Sequence, residues 1–307
     1  MSLNILQYGA SGQLARELVR QGPGHAVELT ALSRAEADLS DPEAAARQVR
    51  ARRPDLVILA AAYTAVDQAE SEPGLAHEIN GEAPAAIAAA CAAVGAALVH
   101  ISTDYVFDGR KGEAYVETDA PNPLSVYGAS KLSGERMALA ACPRSLVLRS
   151  SWVVSAHGRN FVKTMLRLAR EGQPLRVVDD QFGRPTSAAD LAGFILAQAP
   201  RLAAAEAGDP AFGLFHFANA GETSWRGFAQ GVLEMALDAA APRVEPIATA
   251  DRPSPAQRPA RGTLDTGKLE RVFNWRLRPW REALGEILAE LAQPPLAATS
   301  SNGAPVA

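Results

Sequence analysis

Short apolar runs with little alternation recur through the first half of the chain, and each is followed by a stretch of helical spacing. Leu3–Tyr8, Ala26–Leu32, Leu56–Ala60, Ala97–Ile101 and Ser145–Arg149 read as strands. Unalternating runs of this kind suit parallel strands covered on both faces. Between them, Gln13–Gln21 gathers Leu14, Leu18 and Val19 on one helical face. Asp41-Pro42-Glu43 predicts a helix start, with Asp41 as N-cap and Pro42 at the first helical position. Ala83–Val94 and Leu124–Ala141 read as further helices. The alternation predicts an α/β fold, a Rossmann-like, doubly wound parallel sheet.

After Arg149 the pattern loosens. Asn160–Arg170 reads as a helix and Leu175–Val178 as a strand. Ser187 followed by Asp190 resembles an N-cap with an acidic first turn, opening a helix to about Ala199. Leu214–Ala218 reads as a strand and Ser224–Ala239 as a helix. Ala241–Gly262, rich in Pro and Arg, reads as a long loop holding a short strand near Val244–Ile247. Helices follow over about Asp265–Phe273 and Arg281–Leu291, and residues 292–307 read as a disordered tail. The expected division is a nucleotide-binding Rossmann domain over 1–150, also receiving parts of about 187–220. A smaller C-terminal α/β substrate-binding region takes 151–186 and 221–291.

Composition narrows the function classes. At 48% apolar and 21% charged residues over 307 positions, a substantial core can form. A net charge of −4 argues against a nucleic-acid binder. No basic amphipathic helix suggests a membrane surface, and no apolar run reaches the ~20 residues of a span. The N-terminus runs directly into a strand, so no signal peptide is expected and a cytoplasmic location is. Cys91 and Cys142 are read as reduced thiols, neither a disulfide nor a zinc site.

Candidate chemistry begins at Gly9-Ala10-Ser11-Gly12-Gln13-Leu14-Ala15, after the first strand and at the start of the first helix. Glycines there let the backbone turn and approach a pyrophosphate, and the helix N-terminus faces the anion. Gly9, Ser11, Gly12, Gln13 and Leu14 are therefore candidate dinucleotide contacts. The acidic residue usual at the end of the second strand is missing, and Ser33-Arg34 stands there instead. Arg34 suits a 2′-phosphate, so NADPH is expected at least as readily as NADH. Asp38 is read either as an adenine contact or as an ordinary turn residue.

Tyr127 and Lys131 are four residues apart, on one face of a predicted helix. A neighbouring ammonium favours the phenolate and lowers a phenol's pKa. Thr103 is expected at the carboxyl end of a central strand, where ligands bind in open α/β sheets. Thr103, Tyr127 and Lys131 behind a glycine loop resemble the short-chain dehydrogenases. In that superfamily the hydroxyl residue orients the carbonyl, the Tyr transfers a proton, and the Lys also holds the nicotinamide ribose.

The resemblance narrows to the dTDP-4-dehydrorhamnose reductase family on five segments. They are Ala60–Glu70, Ile79-Asn80, Ser102–Phe107, Pro123–Lys131 and Asp180–Thr186. It implies phosphate contacts from Gly12, Gln13 and Leu14, an adenine flanked by Asp38 and Leu39, and a cofactor groove lined by Ala61, Ala62, Tyr63 and Thr64. It further implies that Thr103 and Asp104 border the sugar, that Trp152 packs on a deoxyhexose, and that Arg258 pairs with a substrate phosphate. A core role is the alternative for Trp152. The implied reaction is NADPH- or NADH-dependent reduction of a 4-keto-6-deoxyhexose carried on a nucleotide, with dTDP-4-dehydro-L-rhamnose as the leading substrate. The chain departs from the family where Arg258-Pro259-Ala260 continues as Arg261-Gly262. Some family members use magnesium at a dimer interface; Glu17 and Asp190 are weighed for it against a surface reading, and no metal is assigned. A homodimer is an open assembly state. Two further readings stay open, another deoxysugar 4-ketoreductase or epimerase, and a non-catalytic NADP-binding regulatory subunit similar to that of methionine adenosyltransferase.

Overall fold

The computed structural model describes residues 2–293. Six parallel strands form the main sheet. The first five are β1 (Leu3–Tyr8), β2 (Val27–Leu32), β3 (Leu56–Leu59), β4 (Ala97–Thr103) and β5 (Ser145–Ser150), and the sixth is Gly213–His216. From one edge the order is β2, β1, β3, β4, β5 and then Gly213–His216. The chain thus steps outward from β1 in both directions. The reversal opens a crevice beyond the carboxyl ends of β1 and β3, the place where such sheets bind ligands.

Helices cover both faces, and the strand sequences show why. Ile5, Ile58, Val99 and Leu148 pack on one face against Leu14 and Leu18 of α1 (Gln13–Gln21) and Leu191, Ile195 and Leu196 of the helix Ala188–Ala204. Their neighbours Leu6, Val57 and Leu98 pack on the other against Ala45 and Val49 of α2 (Pro42–Arg52), Ile87 of Ala83–Val94 and Ala138 of Val126–Ala141. Continuous apolar strands are what a sheet buried on both sides requires. A third cluster joins the helices Phe161–Arg170, Trp225–Leu237 and Trp280–Ala292 beside the sheet's carboxyl edge.

Several boundaries move from the sequence reading for local reasons. Ser125 caps the Val126–Ala141 helix by accepting from Gly128 N at 3.1 Å, which excludes Leu124. Asp41 caps α2 as the pattern implied, accepting from Ala44 N. The helix begun at Ser187 passes through Pro200 to Ala204, five residues beyond the expected end at Ala199. Residues 66–82, unassigned from sequence, hold the short helices Val66–Ala69 and Pro73–His77 and a π-helical turn, Glu78–Glu82. The last helix reaches Ala292, and residues 294–307 of the expected tail lie outside the described residues.

Candidate active site

Gly9 follows β1 with φ +97°, and a Cβ there would meet the Ala61 Cβ at 3.0 Å. The loop therefore lies directly on the residues after β3. Gly12 opens α1 with no side chain capping the helix N-terminus. Exposed backbone amides at such an end attract anions. The Gln13 side chain is used elsewhere: its Nε2 donates to Val153 O at 3.0 Å, and its Oε1 accepts from Ser155 and Asn160. Gln13 thus ties the glycine loop to the segment after β5.

A cavity of about 860 Å³ spreads from this loop. Its walls include Gly9, Ser11, Gly12, Gln13, Leu14, Arg34, Asp38, Leu39, Ala61, Ala62 and Thr64 at the end near the glycine loop. Thr103, Asp104, Tyr127, Lys131 and Trp152 stand at the other end. Two residues singled out from sequence are not among its walls. The Tyr63 hydroxyl donates to Glu72 Oε2 at 2.6 Å, which turns the ring away. Arg258 sits in a small adjoining recess and binds Asp67 at 2.9 Å.

Thr103 is the last residue of β4, two residues beyond the strand expected from sequence. Its Oγ1 donates to Asp104 Oδ1 at 3.1 Å and accepts from Tyr105 N. Burial pushes the Tyr127 phenol up to about 12, with a hydrogen bond to Thr103 acting the other way. The ammonium of Lys131 donates to Ile101 O at 2.7 Å, and burial lowers its pKa to about 8. Desolvation, and not the downward pull expected from Lys131, sets the phenol of Tyr127. The phenol holds its proton at neutral pH, the form a proton donor needs. Burial also lifts the Asp104 carboxyl, to about 7.

The helix carrying Tyr127 and Lys131 is fixed by residues to which the sequence reading gave no individual role. Glu135, one turn after Lys131, forms a buried ion pair with Arg149 of β5, through Nε at 2.8 Å and Nη2 at 2.6 Å. Ser102 of β4 donates to the same carboxylate. Asn80, in the π-helical turn, binds both backbone polar atoms of Tyr63 and donates to Ser130 Oγ at 3.0 Å. Ser130 in turn donates to Tyr127 O. The i, i+4 step from Lys131 to Glu135 was visible in the sequence, but its partner Arg149 is distant along the chain.

Trp152 adopts φ +48°, a conformation unfavourable for a bulky residue and held only by its surroundings. It stacks on Trp225 with centroids 3.6 Å apart and lies against Gly183, where a Cβ would come within 2.8 Å of the indole. Both indoles reach the cavity wall and are half-buried.

The acidic residues weighed for magnesium are each paired within the chain. Glu17 is engaged by Arg20, Gln21 and His157, and Asp190 by Arg278 and Asn219. No group of three or more His, Cys, Asp or Glu suited to a metal occurs among the described residues. Cys91 and Cys142 are buried and unbonded to each other. Among the described residues no helix is long and apolar enough to cross a membrane.

An anion cradle at the switch point shares one cavity with a protonated phenol and a buried lysine, and this defines the class: a nicotinamide-dependent oxidoreductase of the short-chain dehydrogenase type. The family model for the RmlD substrate binding domain matches residues 3–293. The dTDP-4-dehydrorhamnose reductase of Burkholderia thailandensis is 44% identical over 298 residues, 94% of this chain and 99% of that protein. That of Escherichia coli K12 is 43% identical over 296 residues, covering 94% and 98%. A dTDP-4-dehydrorhamnose reductase of Bacillus anthracis, solved in complex with NADP, superposes with a TM-score of 0.86 at 33% identity, covering 94% of this chain and 100% of that one. This chain belongs to the dTDP-4-dehydrorhamnose reductase family.

Proposed function

We propose that the protein reduces the 4-keto group of dTDP-4-dehydro-L-rhamnose to give dTDP-L-rhamnose, with NADPH or NADH as reductant. One observation carries this reading: the Thr103–Tyr127–Lys131 set and the glycine loop face one cavity. The reductase names of the relatives support it, and no observation favours the epimerase or regulatory-subunit alternatives.

The nucleotide-facing walls fit a dinucleotide. Ser11, Gly12, Gln13 and Leu14 would hold its pyrophosphate by backbone amides, Asp38 and Leu39 would flank the adenine, and Ala61, Ala62 and Thr64 would line the groove between. When bound, the reduced nicotinamide supplies a hydride. The protein supplies the proton and the orientation. Thr103, whose hydroxyl proton points to Asp104 in the absence of substrate, would turn it to the keto oxygen, and Tyr127 passes its phenolic proton to that oxygen as negative charge develops there. Lys131, anchored at Ile101 O, keeps a positive charge beside the phenolate left behind, and Glu135 favours that charge. Residues 1–150 with part of 187–220 would hold the dinucleotide. Residues 151–186 and 221–291 would hold the sugar nucleotide, with Asp104 and Trp152 against the hexose and Arg258 nearest a phosphate. The protein is proposed to act in the cytoplasm, and a homodimer is its proposed assembly.

Two outcomes follow for single residues. Trp152→Ala should raise KM for the sugar nucleotide about tenfold, the equivalent of ~1.4 kcal/mol of lost ring packing, while NADPH affinity stays constant. A protein that unfolds instead, seen as collapse of the thermal transition, would return Trp152 to a core role. Arg34→Ala should weaken NADPH ten- to a hundredfold, since a charge-assisted phosphate contact is worth ~1.5–3 kcal/mol. Titrating both coenzymes against the variant checks this, and equal losses for NADH and NADPH would remove Arg34 from the phosphate site.

Purified protein mixed with dTDP-4-dehydro-L-rhamnose and NADPH tests the function as a whole. Loss of the reduced cofactor's absorbance is expected. A protein that binds NADPH yet turns over no 4-keto sugar nucleotide would point to the regulatory reading.

A further inference from the structure

An acidic side chain does reach the end of β2, by a route the linear sequence hides. The chain turns after Leu32, with Glu36 N and Ala37 N donating to Ser33 O at 3.1 and 3.0 Å. This turn folds Glu36 back onto Ser33. Its Oε2 accepts from Ser33 N at 2.8 Å and from Ser33 Oγ at 2.7 Å. Ser33 and Arg34 line the cavity, and Gly9 N donates to Leu32 O at 2.9 Å, so the turn adjoins the nucleotide loop.

A backbone N–H and a hydroxyl converging on one point are the donors a 2′-phosphate would seek. Here both already serve a carboxylate. A ribose 2′-hydroxyl has the opposite need, because it donates. Both bonds from Ser33 end on Oε2; Glu36 is not itself among the cavity's walls, so its carboxylate acts on that wall through Ser33. An acidic group at this point binds a ribose diol and repels a 2′-phosphate. Arg34 acts in the other direction. Its guanidinium is largely exposed at the cavity rim and is bound through Nε to Asp38 at 3.1 Å, which leaves its terminal nitrogens for an incoming anion.

We infer that Glu36 is a coenzyme-specificity residue, which holds the Ser33 donors against a 2′-phosphate and keeps the site open to NADH in opposition to Arg34. The inference rests on the reading of this cavity as a dinucleotide site.

The test is a pair of equilibrium titrations, NADPH and NADH, on the wild type and on Glu36→Gln, without substrate. Glutamine keeps an oxygen for Ser33 and so preserves the turn, while the charge is lost. A charge about 5 Å from a phosphate is worth about fourfold in affinity at the screening of bulk water and more than a hundredfold at that of a protein surface, and for an exposed side chain near the watery limit roughly a tenfold change is expected. NADPH should bind Glu36→Gln about tenfold more tightly, with NADH unchanged or weaker. The same ranking should hold for the fragments 2′-AMP and 5′-AMP. An unchanged NADPH-to-NADH ratio, with both coenzymes bound, overturns the role of Glu36 alone. Wild-type protein that binds neither coenzyme overturns it together with the reading of the cavity.

Discussion

Tyr127→Phe is expected to lower kcat by on the order of 10²–10⁴, the usual contribution of a positioned general acid. The substitution keeps the ring, its edge-on contact with Tyr105 at 5.5 Å between centroids, and the helix that carries it. It removes one oxygen, the phenolic one, which lines the same cavity as Thr103 at the end of β4. Burial holds that phenol near 12, so at neutral pH nearly every molecule is poised to donate. NADPH affinity should persist, because the glycine loop, Arg34 and the amides of α1 are untouched. Steady-state rates with a separate NADPH titration check both halves. Turnover close to the wild-type rate would rule out the proposed proton path, and a parallel loss of NADPH binding would mean that Tyr127 serves mainly as a cavity wall.

The largest effect on stability is expected from Arg149→Met. The Arg149 and Glu135 side chains are only 3% and 2% exposed, so the pair is wholly desolvated. Removing one partner strands a buried charge, which costs about 3–5 kcal/mol. The carboxylate would keep only its Ser102 contact. The double variant Glu135→Gln, Arg149→Met should recover much of the loss, because no lone charge then remains. Urea unfolding of the single and double variants gives both values. A single variant within about 1 kcal/mol of wild type would show that water or a rearranged neighbour rescues Glu135. Activity should fall as well, since the ion pair joins β5 to the helix one turn from Lys131.

Much of this arrangement is legible in the sequence because it rests on local patterns. The unalternating strands, the N-caps at Asp41 and Ser187, and the glycine loop each follow from residues within a turn or two of one another. Tyr127 and Lys131 are readable for the same reason. What the sequence hides depends on contacts between distant segments. Arg149 meets Glu135 only because the helix Val126–Ala141 packs back on β5, and Asn80 reaches Ser130 only because a π-helical turn points it there. Glu36 returns to the end of β2 through a turn with no glycine or proline to mark it. Tyr63 shows the reverse failure. It lies within a segment that resembles the family closely, yet its hydroxyl is drawn away by Glu72, a residue nine positions on.

Tracing the hydride tests the central claim most directly. NADPH carrying deuterium at both C4 positions of the nicotinamide would be incubated with the protein and dTDP-4-dehydro-L-rhamnose, and the sugar product examined by NMR. The expected result is dTDP-L-rhamnose with one deuterium, at C4 of the hexose, formed in step with NADP. Cofactor that binds but is never consumed, or a product without deuterium at C4, would contradict reduction of the 4-keto group by this protein.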